Sequence, residues 1–119
     1  RQALPDLGVP VIEDIRPESG ALGALLTGLS YASSPDILFL GERHYDLSVT
    51  TIKKLLSMAT PQADIVTMEG DGFVEPLLAL YGFRCLTAIK ASLLTGEAKM
   101  TSWWGHVRVQ RVSASLLRE

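Results

Sequence analysis

The stretch Ile65–Tyr81, IVTMEGDGFVEPLLALY, places two apolar segments on either side of a polar, glycine-bearing break. Ile65–Met68 is a short run of strand formers that stops at Glu69-Gly70-Asp71-Gly72. Val74–Tyr81 beyond the break reads as helical, with Asp71 and Glu75 placed to cap its first turn. Leu86–Leu94 reads as a further helix that stops at Thr95-Gly96.

Upstream, Ile37–Leu40 is a second continuous apolar run, the pattern of a strand covered on both faces. Asp46 or Ser48 can cap a helix whose apolar stripe is Leu47, Ile52, Leu55, Leu56 and Ala59, and Thr60-Pro61 ends it. Strand, helix, strand implies two neighbouring parallel strands. Before them, Leu22, Leu25, Leu26 and Leu29 repeat at helical spacing, and Val9–Ile12 fits a short strand. In the tail, Val107 and Val109 alternate around Arg108 like a strand, while Val109, Val112, Leu116 and Leu117 also fit a helix, which is slightly favoured. The expected fold is α/β, a small parallel sheet with helices on both faces, forming a single domain over residues 1–119.

A chain of 119 residues with 47% hydrophobic content can bury one core. It opens on Arg1 rather than Met, as a section of a larger protein would. The net charge of −2 argues against general affinity for nucleic acid or anionic membrane. Residues 1–81 hold five Lys/Arg against eleven Asp/Glu, and residues 82–119 hold six against two, so a cation is sought in the first part. No apolar run approaches the roughly 20 residues of a membrane span. The expectation is a soluble protein, cytoplasmic or a secreted effector. The lone Cys85 excludes an internal disulfide and reads as an inert buried thiol, although Arg84 beside it would lower its pKa.

Ligands of open parallel sheets bind where strands end and crossover helices begin. The first apolar run delivers Glu42 and His44 there, and the second delivers Glu69 and Asp71. Neighbouring parallel strands would bring these ends within about 5 Å laterally. Glu42, His44 and Glu69 then make a mixed carboxylate and imidazole site, suited to a divalent metal or to general-base catalysis. Arg43 reads as an outward partner for a carboxylate and Tyr45 as a packing residue. His106, beside Trp103 and Trp104, is more readily a packed or solvent-edge residue, and the tandem Trp is core by default, with a contact surface as the alternative.

The segment ILFLGERHYDLSVTTIKKLLSMATPQADIVTMEG resembles the opening of the superfamily that unites erythromycin esterases, the haem-uptake lipoprotein ChaN, TraB proteins and the Tiki metalloproteases. The shared pattern is an apolar strand, Gly-Glu-x-His at Gly41–His44, a helix, and a second strand ending in Glu69. Domains of this kind also occur in bacterial toxins and effectors. The resemblance implies active-site roles for Glu42, His44 and Glu69, with Gly105-His106 supplying a further metal ligand, in a reduced or partial copy of the family domain.

The expected function is therefore a hydrolase that activates water against an ester or amide bond. Glu42 and Glu69 would serve as ligands or general base, and His44 as ligand or proton carrier. A divalent metal is the expected cofactor, with a metal-free Glu/His route as the alternative. Substrates would be small molecules or peptides. The competing expectations are a non-catalytic toxin or effector module that binds a protein through the basic, Trp-containing end, and a haem or ligand carrier using Tyr45.

Overall fold

The computed structural model describes residues 7–14, 20–41 and 48–117. Its elements in chain order are β1 (Val11–Asp14), α1 (Ala21–Tyr31), β2 (Asp36–Gly41), α2 (Val49–Ser57), β3 (Ile65–Gly70), β4 (Phe73–Gly82), α3 (Cys85–Leu94), a single 3₁₀ turn at Trp104–His106, β5 (Val109–Ser113) and α4 (Ala114–Leu117). The α/β class holds, with one five-stranded sheet in the order β1-β2-β4-β3-β5. β1 is parallel to β2 and β3 is parallel to β5, but β4 lies antiparallel between β2 and β3, so the sheet is mixed.

The departure from an all-parallel sheet begins at Gly70-Asp71-Gly72-Phe73. Asp71 has φ 53° and Gly72 has φ 81°, and Gly70 pairs with Phe73 across them. Two central residues with positive φ are what a type I′ hairpin demands, and its twist matches that of the flanking strands. Asp-Gly is a preferred pair for this turn, because Asp tolerates the left-handed region and Gly enters it without steric cost. The chain therefore folds straight back, and Val74–Tyr81 is strand where a helix was expected. Asp71 belongs to the turn and Glu75 to β4, so neither caps a helix.

Pro76 explains why β4 hides from a sequence reading. It donates no ladder hydrogen bond and is tolerated within sheets only at edges and irregularities. The β3–β4 register accordingly shifts between Thr67 and Glu69. Two buried hydroxyls close the gap: Thr67 Oγ1 donates to the Glu75 carbonyl at 2.9 Å, and Tyr81 Oη donates to the Pro76 carbonyl at 2.6 Å. On the other side of β4, β2 presses so close that a Cβ on Gly41 would stand 2.7 Å from the Leu77 Cβ. Only a glycine closes β2 without pushing that backbone away.

Strand alternation sends apolar side chains to two cores. Ile37, Phe39, Ile65, Ala79 and Tyr81 pack under α1 and α3 together with Trp103 and Trp104. Leu40, Val66, Leu78, Leu80 and Val112 pack on the opposite face with Leu55 of α2 and Leu117 of α4. Both tryptophans are thus core residues. In the tail Val109 and Val112 lie on β5 and not on the favoured helix, and only Ala114–Leu117 is helical. Gln110 on β5 also holds the end of α2, with its amide donating to the Met58 carbonyl at 2.7 Å and accepting from the Thr60 N–H at 2.9 Å.

Candidate functional site

β1, β2, β3 and β5 all point one way, so their carboxyl ends share one edge of the sheet. At that edge α2 begins, capped by Ser48, whose Oγ accepts from the Thr51 N–H at 3.1 Å. Further along, the β3–β4 turn and the junction of β5 with α4 enclose a cleft of about 290 Å³ lined by Glu69, Asp71, Ser113 and Ser115. Register creates it, because Glu69 pairs with Ser113 across parallel strands. Glu69 Oε2 lies 3.4 Å from Arg111 Nε, and the Ser113 and Ser115 hydroxyls are 2.9 Å apart. The ion pair is about half exposed, so its contribution to stability is at most about 1 kcal/mol. The Ser113 and Ser115 hydroxyls line the cleft, and the Arg111 guanidinium stands at its border, held by Glu69.

Of the candidate catalytic residues, Glu42 and His44 lie outside the described residues, as do Arg43, Tyr45 and Asp46. Glu69 is at the carboxyl edge as expected. The spacing is different, because β4 separates β2 from β3 and moves their ends to about 10 Å apart, twice the neighbour distance. His106 is not a partner for Glu69. It precedes β5, whose first residue Val109 pairs with Ile65, whereas Glu69 pairs with Ser113 at the other end. Four residues of strand already separate the two levels by about 13 Å. Among the described residues, no group of three or more His, Cys, Asp or Glu side chains is placed to hold a metal ion. Arg111, Ser113 and Ser115 escaped the sequence reading because a helix was favoured for the tail; the alternation around Arg108, continued to Ser113, was the available signal.

The opposite edge is structural. Asp64 Oδ2 accepts from the Arg108 N–H at 3.0 Å, its Oδ1 lies 3.4 Å from Arg84 Nη1, and its carbonyl accepts from the Gly82 N–H at 2.8 Å. One residue thus pins the starts of β3, β5 and α3 to the end of β4. The Cys85 thiol donates to the same carbonyl at 3.4 Å, and burial, reinforced by the Asp64 charge, raises its pKa to about 12 from 9.0. The lowering expected beside Arg84 is thus replaced by a rise. A raised folded pKa contributes stability that is complete below pH 9 and is lost as pH rises toward 12, by at most about 1.4 kcal/mol per unit. The urea midpoint of the native chain should accordingly fall further between pH 9 and pH 11 than that of Cys85→Ala. Equal falls would show that the thiol ionises as freely in the fold as in the unfolded chain.

Comparison with known proteins identifies the architecture. The profile of the MobA-like NTP transferase domain matches residues 1–112. A probable molybdenum cofactor guanylyltransferase of Bacillus licheniformis is 29% identical over 106 residues, which is 87% of this chain and 54% of that protein. A protein of the same description from Flavobacterium johnsoniae is 28% identical over 89 residues, covering 75% of this chain and 47% of its own length. The crystal structure of molybdopterin-guanine dinucleotide biosynthesis protein A from Archaeoglobus fulgidus superposes with a TM-score of 0.73 at 17% identity, over 83% of this chain and 50% of that one. The chain spans about half the length of the curated relatives it matches.

These findings overturn the esterase resemblance. Gly-Glu-x-His after an apolar strand is a short pattern, and the family match extends over almost the whole chain. The hydrolase expectation falls with it, as do the toxin or effector module and the haem carrier. No helix among the described residues is long and apolar enough to cross a membrane. The chain belongs to the MobA-like NTP transferase family.

Proposed function

We infer that this chain takes part in nucleotidyl transfer, contributing the Glu69–Ser115 edge of a site that joins a guanylyl group from GTP to a molybdenum-cofactor acceptor. The observation that carries the reading is the family match over residues 1–112, together with two relatives described as probable molybdenum cofactor guanylyltransferases. In such a reaction an acceptor oxygen attacks the α-phosphorus, the α–β bond breaks and pyrophosphate leaves. Little covalent chemistry is asked of the protein, so positioning and charge stabilisation dominate.

The described residues can serve those needs in part. Arg111 offers a fixed cation, oriented by Glu69 at 3.4 Å, and Ser113 and Ser115 offer hydroxyl donors beside it. Mg²⁺ in phosphoryl-transfer sites is held by one or two carboxylates plus substrate phosphates. Glu69 and Asp71 are the described carboxylates of this cleft that fit that modest demand. When bound, such an ion would neutralise phosphate charge, while Arg111 would orient the leaving or accepting phosphate.

The test joins the chain to the remaining half of the Bacillus licheniformis relative and measures pyrophosphate release from GTP with molybdenum cofactor as acceptor. Acceptor-dependent release is expected, and Arg111→Ala should reduce it about 10–100-fold, the loss of a charged hydrogen bond worth about 1.5–3 kcal/mol. Folded protein that neither binds GTP nor releases pyrophosphate would sink the reading.

A further inference from the structure

At the carboxyl edge a large apolar side chain stands in solvent. Phe73, the first residue of β4, is 74% exposed. A single exposed apolar residue is ordinary by itself, but this one is fixed beside the cleft of Glu69, Asp71, Ser113 and Ser115. The hairpin turn pairs Phe73 with Gly70, which lines that cleft, so the two backbones run about 5 Å apart. Directly opposed residues project to the same face of a sheet. A Cβ on Gly70 would stand 3.4 Å from the Ala114 Cβ, so Phe73 projects on the face that carries α4.

The neighbours of the ring leave it uncovered. Gly70 and Gly72 offer no side chain and Ala114 only a methyl, and all three line the cleft, so a low shelf joins the ring to it. Among the described residues no strand flanks Phe73 on the side of β2, whose last pair with β4 is Leu40 with Leu78. An open aromatic face favours a flat ring stacked on it, and such stacking tolerates many ring types. The lining beyond the shelf favours a ring with hydrogen-bonding atoms on its rim. Ser113 and Ser115 share one hydrogen bond at 2.9 Å, and each hydroxyl keeps capacity for another partner.

We propose that Phe73 is the stacking platform for the fused heteroaromatic ring of a substrate, whose polar rim turns to the Ser113 and Ser115 hydroxyls. The identity of that ring rests on the nucleotidyl-transfer reading. The guanine of GTP and the pterin of a molybdopterin acceptor are both flat, fused and edged by a 2-amino-4-oxopyrimidine, so either presents the required chemistry. Phosphate and metal stay with Arg111 and the carboxylates, and Phe73 acts on substrate binding.

Biopterin and guanosine are the probes, because neither carries phosphate and their binding is measured without turnover. In a ¹⁵N-correlated NMR titration of this chain, the Gly70 and Gly72 amide signals should move saturably with at least one of them. The tighter probe identifies the substrate whose ring this edge holds. Phe73→Leu keeps an apolar side chain without a ring face and should weaken binding about tenfold, whereas Phe73→Tyr should stay within about twofold. Phe73 is exposed, so the urea midpoints of both variants should match that of the native chain. The proposal is overturned if neither probe gives a saturable shift at millimolar concentration, or if Phe73→Leu binds as tightly as the native chain. Pyrophosphate release tests the nucleotidyl-transfer reading separately: release from a protein that binds neither ring would remove the platform and leave transfer standing.

Discussion

Tyr81→Ala is expected to lower the unfolding free energy by about 3–5 kcal/mol, the range for deleting a large buried ring. Native domains hold about 5–15 kcal/mol in total, so this variant should be partly unfolded or close to it at 25 °C. Tyr81 is fully buried, and its ring meets Phe39 at 6.4 Å, Trp103 at 6.1 Å and Trp104 at 6.4 Å between centroids. It is thus the contact through which the sheet grips both tryptophans. Its hydroxyl separately satisfies the Pro76 carbonyl at 2.6 Å. Tyr81→Phe keeps the ring and orphans that carbonyl, at a cost of about 1–2 kcal/mol. Urea denaturation of the two variants separates the contributions. A Phe variant as unstable as the Ala variant would mean that closing the Pro76 irregularity, and not ring packing, makes Tyr81 indispensable.

The same residues explain what could be read from the sequence. Continuous apolar runs at Ile37–Leu40 and Ile65–Met68 announced β2 and β3, and helical spacing announced α1, α2 and α3, because burial on two faces and on one stripe leaves distinct patterns. β4 left no such pattern. Its register breaks at Glu75-Pro76-Leu77, so neither period two nor period 3.6 survives across it, and the two hydroxyls that repair the break are remote in sequence or at its far end. Misreading β4 also misplaced the ends of β2 and β3 relative to each other. With β4 absent from the sheet, the ends of β2 and β3 became neighbours, and Glu42, His44 and Glu69 looked like one cluster.

The carboxyl edge itself was legible, since direction follows from strand and crossover alone. Arg111 and Ser113 were not, because β5 alternates over only Val109–Ser113 before α4 takes over. Nor could any local pattern reveal the family. Strand ends carrying a few polar residues occur in unrelated α/β folds, and such residues alone do not separate one family from another.

Gly72→Val should cost about 2 kcal/mol, since a β-branched residue is forced to φ 81° where L side chains are strained. A Cβ at Gly72 would meet nothing within 4 Å, so crowding adds nothing and the loss isolates the backbone requirement. Asp71→Asn is the matched control, because Asn enters the left-handed region as readily as Asp, and its stability should stay within about 0.5 kcal/mol of the native chain. The turn also fixes where β4 begins. A slip of one residue would turn the side chains of β4 to the opposite face of the sheet. Urea denaturation should therefore separate a destabilised Gly72→Val from an Asp71→Asn of nearly native stability. If Gly72→Val were as stable as the native chain, the hairpin could not be the type I′ turn that sets β4 between β2 and β3.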